Sequence, residues 1–375
     1  MNKLSLRPEV RAGLLLLAIS TLSFQFACFR FARNQDPILS GSKNDVLATR
    51  PDLKNERHKV ETEINQLLLE KKFDAIESKA VTAREKKQRL AGGYWKIDAI
   101  YEGLISFLAE YSGQRVTDEL WKNRIELLKV WTKEHPESVT ARIALARGYI
   151  EYGWFARGNG TINTVAEADY RLFHERLGEA ESILVELGDK GLECPRWYRE
   201  VLFLGMINGW PEDEMDRLYE SAIRSEPNYL QYYLTRSEYL TPKWHGKPGD
   251  WQDFVDALPG RIALLEKGEA DIIYFVVVAN KVNDHSLSIN WTMISKERVR
   301  KGFQDLEKKY GPDNTRLNHY AFVASLSMDL PSAGAALKRI GDDRDSEVWD
   351  EVTFTSMKSL AKNGIPGLSI QPALP

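Results

Sequence analysis

The chain has 375 residues, 43% of them hydrophobic, which is enough for a sizeable core and too many for a wholly disordered chain. Fifty-one Lys and Arg against 54 Asp and Glu give a net charge of −3, which excludes the global basic excess that grips phosphate backbones, so nucleic acid is not an expected partner. Two cysteines, Cys28 and Cys194, exclude a disulfide framework and a four-cysteine metal site.

In chain order, the first signal is an amino-terminal segment. Lys3, Arg7 and Arg11 precede an uncharged stretch from Ala12 to Phe29, AGLLLLAISTLSFQFACF. Basic residues followed by an apolar run are the order of a secretory signal or an N-terminal membrane anchor. Its 18 residues lie at the short end of the roughly 17 to 25 that span a bilayer, and exceed a typical signal core. Either reading exports the body to the cell envelope, on the extracytoplasmic side, although Arg30 and Arg33 beyond the stretch weaken the charge asymmetry that orients such segments. Cys28 follows Ala27 as a lipid-modified cysteine follows a small residue, but Gln25 and Phe26 depart from that pattern. An uncleaved anchor, a cleaved signal, lipidation at Cys28 and a buried core helix all remain open. The first 33 residues hold five basic side chains and one acid, Glu9, so the remainder carries a net charge of −7.

Residues 34 to 55 turn polar, with Pro37, Ser40, Gly41, Ser42 and Pro51, and read as a flexible tether. From residue 56 to 360 apolar residues recur at helical spacing. One stripe is Ile97, Ile100, Tyr101, Leu104, Ile105 and Leu108; Val139, Ile143, Ala146, Ile150 and Trp154 form the next. Met215, Leu218, Tyr219, Ala222 and Ile223 form a third, with Pro211 expected in the first turn, Glu212 and Asp213 at the favourable end of the helix dipole, and Pro227 as the stop. Ile272 to Val278, IIYFVVV, has strand propensity but is expected to be a buried helix, because a lone strand would leave its backbone groups unpaired. Leu317, Tyr320, Ala321, Ala324 and Met328 make a last stripe, and residues 361 to 375 read as an irregular tail.

The fold class expected is all-α. Pro195 and Pro227 lie 32 residues apart, near the 34 of a tetratricopeptide repeat. Ala222 to Pro227, AIRSEP, is similar to the close of such a repeat, and Phe73-Asp74-Ala75-Ile76-Glu77 with Ala80 is similar to the start of its second helix. One amphipathic hairpin cannot bury its own apolar face, so the expected architecture is a tetratricopeptide-like solenoid of stacked hairpins.

Several motifs carry a family resemblance: Tyr152-Gly153-Trp154-Phe155-Ala156-Arg157-Gly158-Asn159-Gly160, Thr164-Val165, Phe173 with Arg176-Leu177, and Gly209-Trp210-Pro211. Pro242, Trp244, Gly246, Pro248, Gly249 and Trp251 continue it, followed by Trp291, Gly302-Phe303, Tyr310, Asn318 and Trp349. From about Trp131 to Trp349 the chain resembles a bacterial tetratricopeptide-like family catalogued as domain of unknown function 4034, with Ser325 where that pattern has a cysteine. The resemblance implies a helical repeat fold and carries over no activity.

The candidate binding residues are Trp154, Arg157, Arg176, Trp210, Trp244 and Trp251. Guanidinium forks suit bidentate carboxylates, so Arg157 and Arg176 are read either as anion clamps or as ties to helix ends and buried acids. Trp244 and Trp251 flank the glycine- and proline-rich KWHGKPGDW, either as an exposed platform or as the packing of a long loop. The six histidines show no zinc spacing, Gly341-Asp342-Asp343-Arg344-Asp345 lacks the ligand spacing of a calcium loop, and neither a nucleophile elbow nor a phosphate loop occurs, so no metal, cofactor or catalytic residue is assigned. The leading expectation is a non-catalytic scaffold that binds a protein or peptide partner, tethered to the membrane by its N-terminal segment. The alternative is an all-helical hydrolase of a cell-envelope glycan, with carboxylates drawn from Asp169, Glu175, Asp250 and Asp253 in an aromatic cleft.

Overall fold

The computed structural model describes residues 53–107, 115–158, 160, 164–258, 265–282 and 289–363. The expected anchor, Cys28, the tether up to residue 52 and the tail from residue 364 lie outside the described residues. Among them the protein is all-α, with fifteen helices and no strand beyond an isolated bridge between Arg89 and Trp95. None of these helices is long and apolar enough to cross a membrane. The residues divide into two compact units, one of 57–89 and 95–253 and the other of 53–56, 90–94 and 254–363.

The first unit contains α1 (Leu53–Leu69, from Arg57 onward), α2 (Phe73–Glu85), α3 (Lys96–Ile105), α4 (Asp118–Glu134), α5 (Val139–Arg157), α6 (Glu167–Leu187), α7 (Pro195–Asn208), α8 (Glu212–Ser225), α9 (Leu230–Tyr239) and the start of α10 (Asp250–Asp256). The chain writes the helix ends locally. The Thr117 and Ser138 hydroxyls accept from the Leu120 and Ala141 amides at the starts of α4 and α5, satisfying donors that have no partner inside the helix. Pro195 opens α7, where a missing N–H costs nothing. Gly209 closes it in the left-handed region (φ +70°), so the Trp210 amide can return to the Gly205 carbonyl.

Packing then sorts the faces. Phe73, Ile76 and Ala80 form the buried side of α2, and Phe73 stacks on Trp131 of α4 at 5.6 Å. In α8 the buried residues include Met215, Leu218, Tyr219, Ala222 and Ile223, the expected stripe; Pro211 precedes the first helical residue rather than lying within the first turn. α5 packs most extensively on α6 and also touches α2, α3, α4 and α7, while α7 packs on α8 and α9. These many neighbours leave α7 buried on nearly every side.

The second unit contains the end of α10, α11 (Glu269–Asn280), α12 (Lys296–Tyr310), α13 (Asn314–Leu326), α14 (Leu330–Ile340) and α15 (Glu351–Asn363). IIYFVVV is helical, and every residue from Ile272 to Ala279 is buried in α11. A helix surrounded by apolar neighbours can use β-branched residues on all faces, and its backbone hydrogen bonds are satisfied internally. Gly302 of α12 touches the backbone of α11 so closely that a Cβ would sit 1.9 Å from the Asp271 carbonyl oxygen. Phe303 of α12 and Tyr320 of α13 then stack at 4.2 Å.

Two boundaries differ from expectation. α1 opens at Leu53, so residues 53–55, expected in the tether, are helical. α15 continues to Asn363, so residues 361–363, expected in the tail, are helical as well. At the first of these, the polar Lys54 and Asn55 are exposed on α1, as on the outer face of an amphipathic helix.

One histidine of this unit predicts an acid response. The His319 ring on α13 places Nδ1 3.0 Å from the Thr315 carbonyl. Burial, and secondarily the Arg316 charge, push its pKa from 6.5 down to about 4, against the pull of Asp345 and Glu347. The unfolded chain therefore takes up a proton between pH 6.5 and 4 that the fold excludes, so stability is full above pH 6.5 and is lost as pH falls. The loss from this group at pH 4 is about 3 kcal/mol. His319→Gln is expected to flatten the urea midpoint between pH 6.5 and 4; an unchanged slope would show that another group governs the response.

Candidate functional site

The unusual WFARGNG stretch lies at the end of α5, where it meets α6. Gly153 lets the two helices approach, because a Cβ there would lie 3.3 Å from a Phe173 ring carbon. Tyr152 is buried, stacks on Trp121 of α4 at 5.8 Å, and donates its hydroxyl to Asp118 Oδ1 at 2.6 Å. Burial, with that hydrogen bond, pushes the Tyr152 phenol up to about 12. Asp118 is lowered from its ordinary range, by the hydrogen bond from Lys122 first and by Tyr152 next.

Arg176 is a tie between helices. It lies 3.2 Å above the Tyr152 ring and donates Nη1 to the Tyr152 carbonyl at 2.6 Å, with Nη2 3.7 Å from Asp118. Burial lowers its pKa, and the cation–π and carbonyl contacts offset the lost hydration. Arg157 is buried beside the Trp154 ring at 5.5 Å and donates Nη1 to the Gly158 carbonyl at the helix end. Trp154 packs on Phe173 at 4.8 Å. The structure thus brings Trp154, Arg157 and Arg176 to one hairpin, with both arginines engaged by backbone carbonyls.

Trp210, Trp244 and Trp251 fall elsewhere and are all buried. The Trp210 carbonyl accepts from the Tyr239 hydroxyl at 2.8 Å, and its ring lies over Gly205. Trp244 donates Nε1 to Glu238 at 3.1 Å, and the adjacent His245 contacts the Met206 carbonyl at 2.7 Å. An exposed aromatic platform at KWHGKPGDW is therefore not formed. The turn must fold back on itself, and Gly246 permits this, since a Cβ there would meet the Leu240 carbonyl oxygen at 2.0 Å.

Of the carboxylates considered for a hydrolase, Asp250, Glu175 and Asp253 are engaged locally or face outward, and Asp169 is half-buried near the start of α6. Asp250 accepts from the Lys247 amide at 2.7 Å, Glu175 sits 3.7 Å from Arg171, and Asp253 is exposed. Among the described residues no group of three or more His, Cys, Asp or Glu side chains is placed to hold a metal ion. Cys194 is fully buried, 3.7 Å from the Tyr101 hydroxyl.

Among the charged side chains accessible at the hairpin, three large apolar ones also stay partly exposed. Phe155 on α5 and Tyr170 and Leu172 on α6 are 37%, 36% and 37% exposed. Phe155 continues the ring series of Trp121 and Tyr152, at 6.4 and 6.3 Å, and Leu172 lies one turn before Arg176, which covers Tyr152. Tyr170 contacts the edge of His174 at 4.4 Å, and His174 in turn touches Phe173. Partial burial lowers the His174 pKa. The motif thus supplies an aromatic base whose outer members face solvent.

A second constellation escaped the sequence reading. On α3, α5 and α7, the buried Asp98, Arg147, Arg196, Arg199 and Glu200 form an ionic network with the half-buried Glu102. Arg196 donates to Glu200 at 2.5 Å, to Asp98 at 3.1 Å and to Glu102 at 2.8 Å; Arg199 reaches Glu200 at 2.8 Å, and Arg147 reaches Glu151 at 2.6 Å. The Tyr229 hydroxyl also donates to Asp98. Burial alone would raise the Glu102 and Glu200 carboxyls, but the three guanidiniums hold both below their ordinary range; at Asp98 burial prevails and its pKa is raised. The available signals were Asp98 interrupting the Ile97–Ile100 stripe and the i, i+4 pairs Arg147–Glu151 and Arg196–Glu200. Set against known proteins, the chain matches no family model, no curated protein and no solved structure.

Proposed function

We propose that this chain is a non-catalytic, exported or membrane-tethered helical-repeat protein that binds a protein segment at the α5–α6 hairpin. The observation that carries the reading is the exposure of Phe155 and Leu172 beside buried rings at this hairpin: Phe155 lies 6.4 and 6.3 Å from the Trp121 and Tyr152 rings, and Leu172 lies one turn before Arg176, which covers Tyr152. Large apolar groups grouped at a surface are a feature of interaction sites, whereas single ones are ordinary. Consecutive helices that pack on one another support the tetratricopeptide-like part of the reading, as do the motifs similar to domain of unknown function 4034. Export rests on the basic-then-apolar order of residues 3 to 29.

The test is affinity capture from native membranes after mild crosslinking, comparing wild type with Phe155→Ser/Leu172→Ser. These are surface changes expected to leave the far-ultraviolet circular dichroism unchanged. A partner captured by wild type and lost by at least about tenfold in the variant is the expected result, since a few central apolar residues dominate such interfaces. Equal recovery by both proteins would remove the hairpin from the binding site.

A further inference from the structure

We propose that Met293 and Met328 form a surface oxidation site in the second unit, at which a small hydroperoxide such as hydrogen peroxide is consumed by the thioether sulfurs while the fold is kept. Six methionines occur in the chain, and five of them fall among the described residues. Met206 on α7 and Met215 on α8 are 1% and 0% exposed, and Met357 on α15 is half-buried. Met293 is 76% exposed and Met328 is 45% exposed. Methionine ordinarily fills irregular gaps in a core with its flexible thioether, and neither Met293 nor Met328 is used in that way.

The fold draws these two positions together from distant parts of the chain. Lys296, at the start of α12 and one short turn beyond Met293, donates Nζ to the Met328 carbonyl at 3.2 Å. Around each methionine the local structure is held by other groups. After α13 the turn closes through its backbone, with the Met328 amide bonded to the Ser325 carbonyl and the Asp329 amide to the Ala324 carbonyl, and Arg300 reaches Asp329 at 3.1 Å. Beside Met293, Ile294 is buried, the Ser295 amide donates to the Tyr274 hydroxyl at 3.0 Å, and the Ser295 hydroxyl accepts from the Arg298 amide at 3.3 Å. Both thioethers can therefore change chemically without removing a contact that these turns need.

In the reaction the sulfur lone pair attacks one peroxide oxygen, an S–O bond forms as the O–O bond breaks, and the departing hydroxide takes the proton left on the transferred oxygen to become water. The sulfur is oxidised by two electrons and the peroxide is reduced by the same two, so thioether and hydrogen peroxide give sulfoxide and water. The new oxygen is a polar acceptor. At Met293 and Met328 it meets solvent, which hydrates it. On Met206 or Met215 the same oxygen would be enclosed by buried helix faces, where a polar group without a donor is costly. The fold thus separates methionines that tolerate the product from those that do not. Reduction by a thiol-dependent methionine sulfoxide reductase, with the thiols oxidised to a disulfide and water released, is the class of reaction that restores the site.

The experiment treats the full chain with hydrogen peroxide and follows oxygen incorporation at each methionine by peptide mapping, with far-ultraviolet circular dichroism read in parallel. Met293 and Met328 are expected to oxidise at least about tenfold faster than Met206 and Met215, and the helical signal should persist when both are converted. In urea, where every thioether is open to solvent, that difference should vanish. Met293→Leu/Met328→Leu, a pair of volume-conserving surface changes, should abolish the fast uptake and leave the slow rates at Met206 and Met215 as they were. Comparable rates at the exposed and core methionines of the folded chain overturn the proposal, because access would then not be set by the fold. Loss of the helical signal as Met293 and Met328 convert also overturns it, since the thioethers would then be structural. A Met328 that stays reduced while Met293 converts leaves no paired site and has the same consequence.

Discussion

Glu200→Ala is expected to destabilise the protein by about 4 kcal/mol, because breaking a buried ion pair by deleting one partner leaves charge uncompensated in a dry interior. Glu200 is fully buried, and its two oxygens take Arg196 Nε at 2.5 Å and Arg199 Nη1 at 2.8 Å, with Arg147 Nη1 at 3.6 Å. Arg147 and Arg199 already hold buried N–H groups without hydrogen-bond partners, so neither has a spare acceptor to turn to once Glu200 is gone. Glu200→Gln, which keeps the shape and an acceptor oxygen, should recover part of the loss. Urea unfolding at neutral pH measures both, with an unchanged slope marking a pure stability effect. A loss below about 1 kcal/mol for Glu200→Ala would be the behaviour of an exposed pair and would contradict the buried network. The pH signature has a definite sign. Glu200 and Glu102 keep pKa values below the ordinary 4.5, so their contribution is present above that pH and disappears as pH falls through the lowered folded values.

Gly302→Ala is expected to cost about 3 kcal/mol, the upper end of ordinary overpacking. The added methyl would lie 1.9 Å from the Asp271 carbonyl oxygen and 2.9 Å from Phe275 Cβ, so the obstacle is largely backbone and cannot rotate away. α12 would have to move off α11, disturbing the Phe303–Tyr320 stack and the Arg298 bridge from α12 to Asp271 at 3.0 Å. Alanine favours helix over glycine by about 1 kcal/mol, so a surface glycine in the same helix context would gain from this change. Gly178 of α6, where a Cβ meets nothing within 4 Å, is the control. Stabilisation by Gly178→Ala with strong destabilisation by Gly302→Ala would separate close packing from propensity; equal effects would sink the packing account.

The all-helical class was legible in the chain because amphipathic periodicity is local. Met215 to Ile223 and Ile97 to Ile105 repeat at three and four residues, and each is a helix with those residues buried. IIYFVVV was legible only through a negative argument: its propensity favours a strand, and the requirement to pair every buried backbone group made it a helix. A helix end was readable near Pro227, just past α8, whereas Pro195 opens α7 rather than closing a helix, and the start at Leu53 was hidden because polar sequence serves equally for a tether and for the outer face of a helix.

The candidate site divides in the same way. The sequence by itself determined that WFARGNG is unusual, that it closes a helix, and that Trp and Arg are concentrated there. Only the tertiary structure decided which of those side chains face solvent. Trp210, Trp244 and Trp251 have the same residue type as a binding platform, yet close approaches at Gly205 and Gly246 fold their surroundings into the core. Phe155 on α5 and Tyr170 and Leu172 on α6 are apolar like the stripe residues, yet they stay partly exposed where the two helices pack on one another. The ionic network of Arg196 and Glu200 with Asp98 and Glu102 likewise joins residues nearly a hundred positions apart. Periodicity records which face of a helix is apolar, whereas exposure depends on how many neighbours that helix acquires, and only long-range packing sets that number.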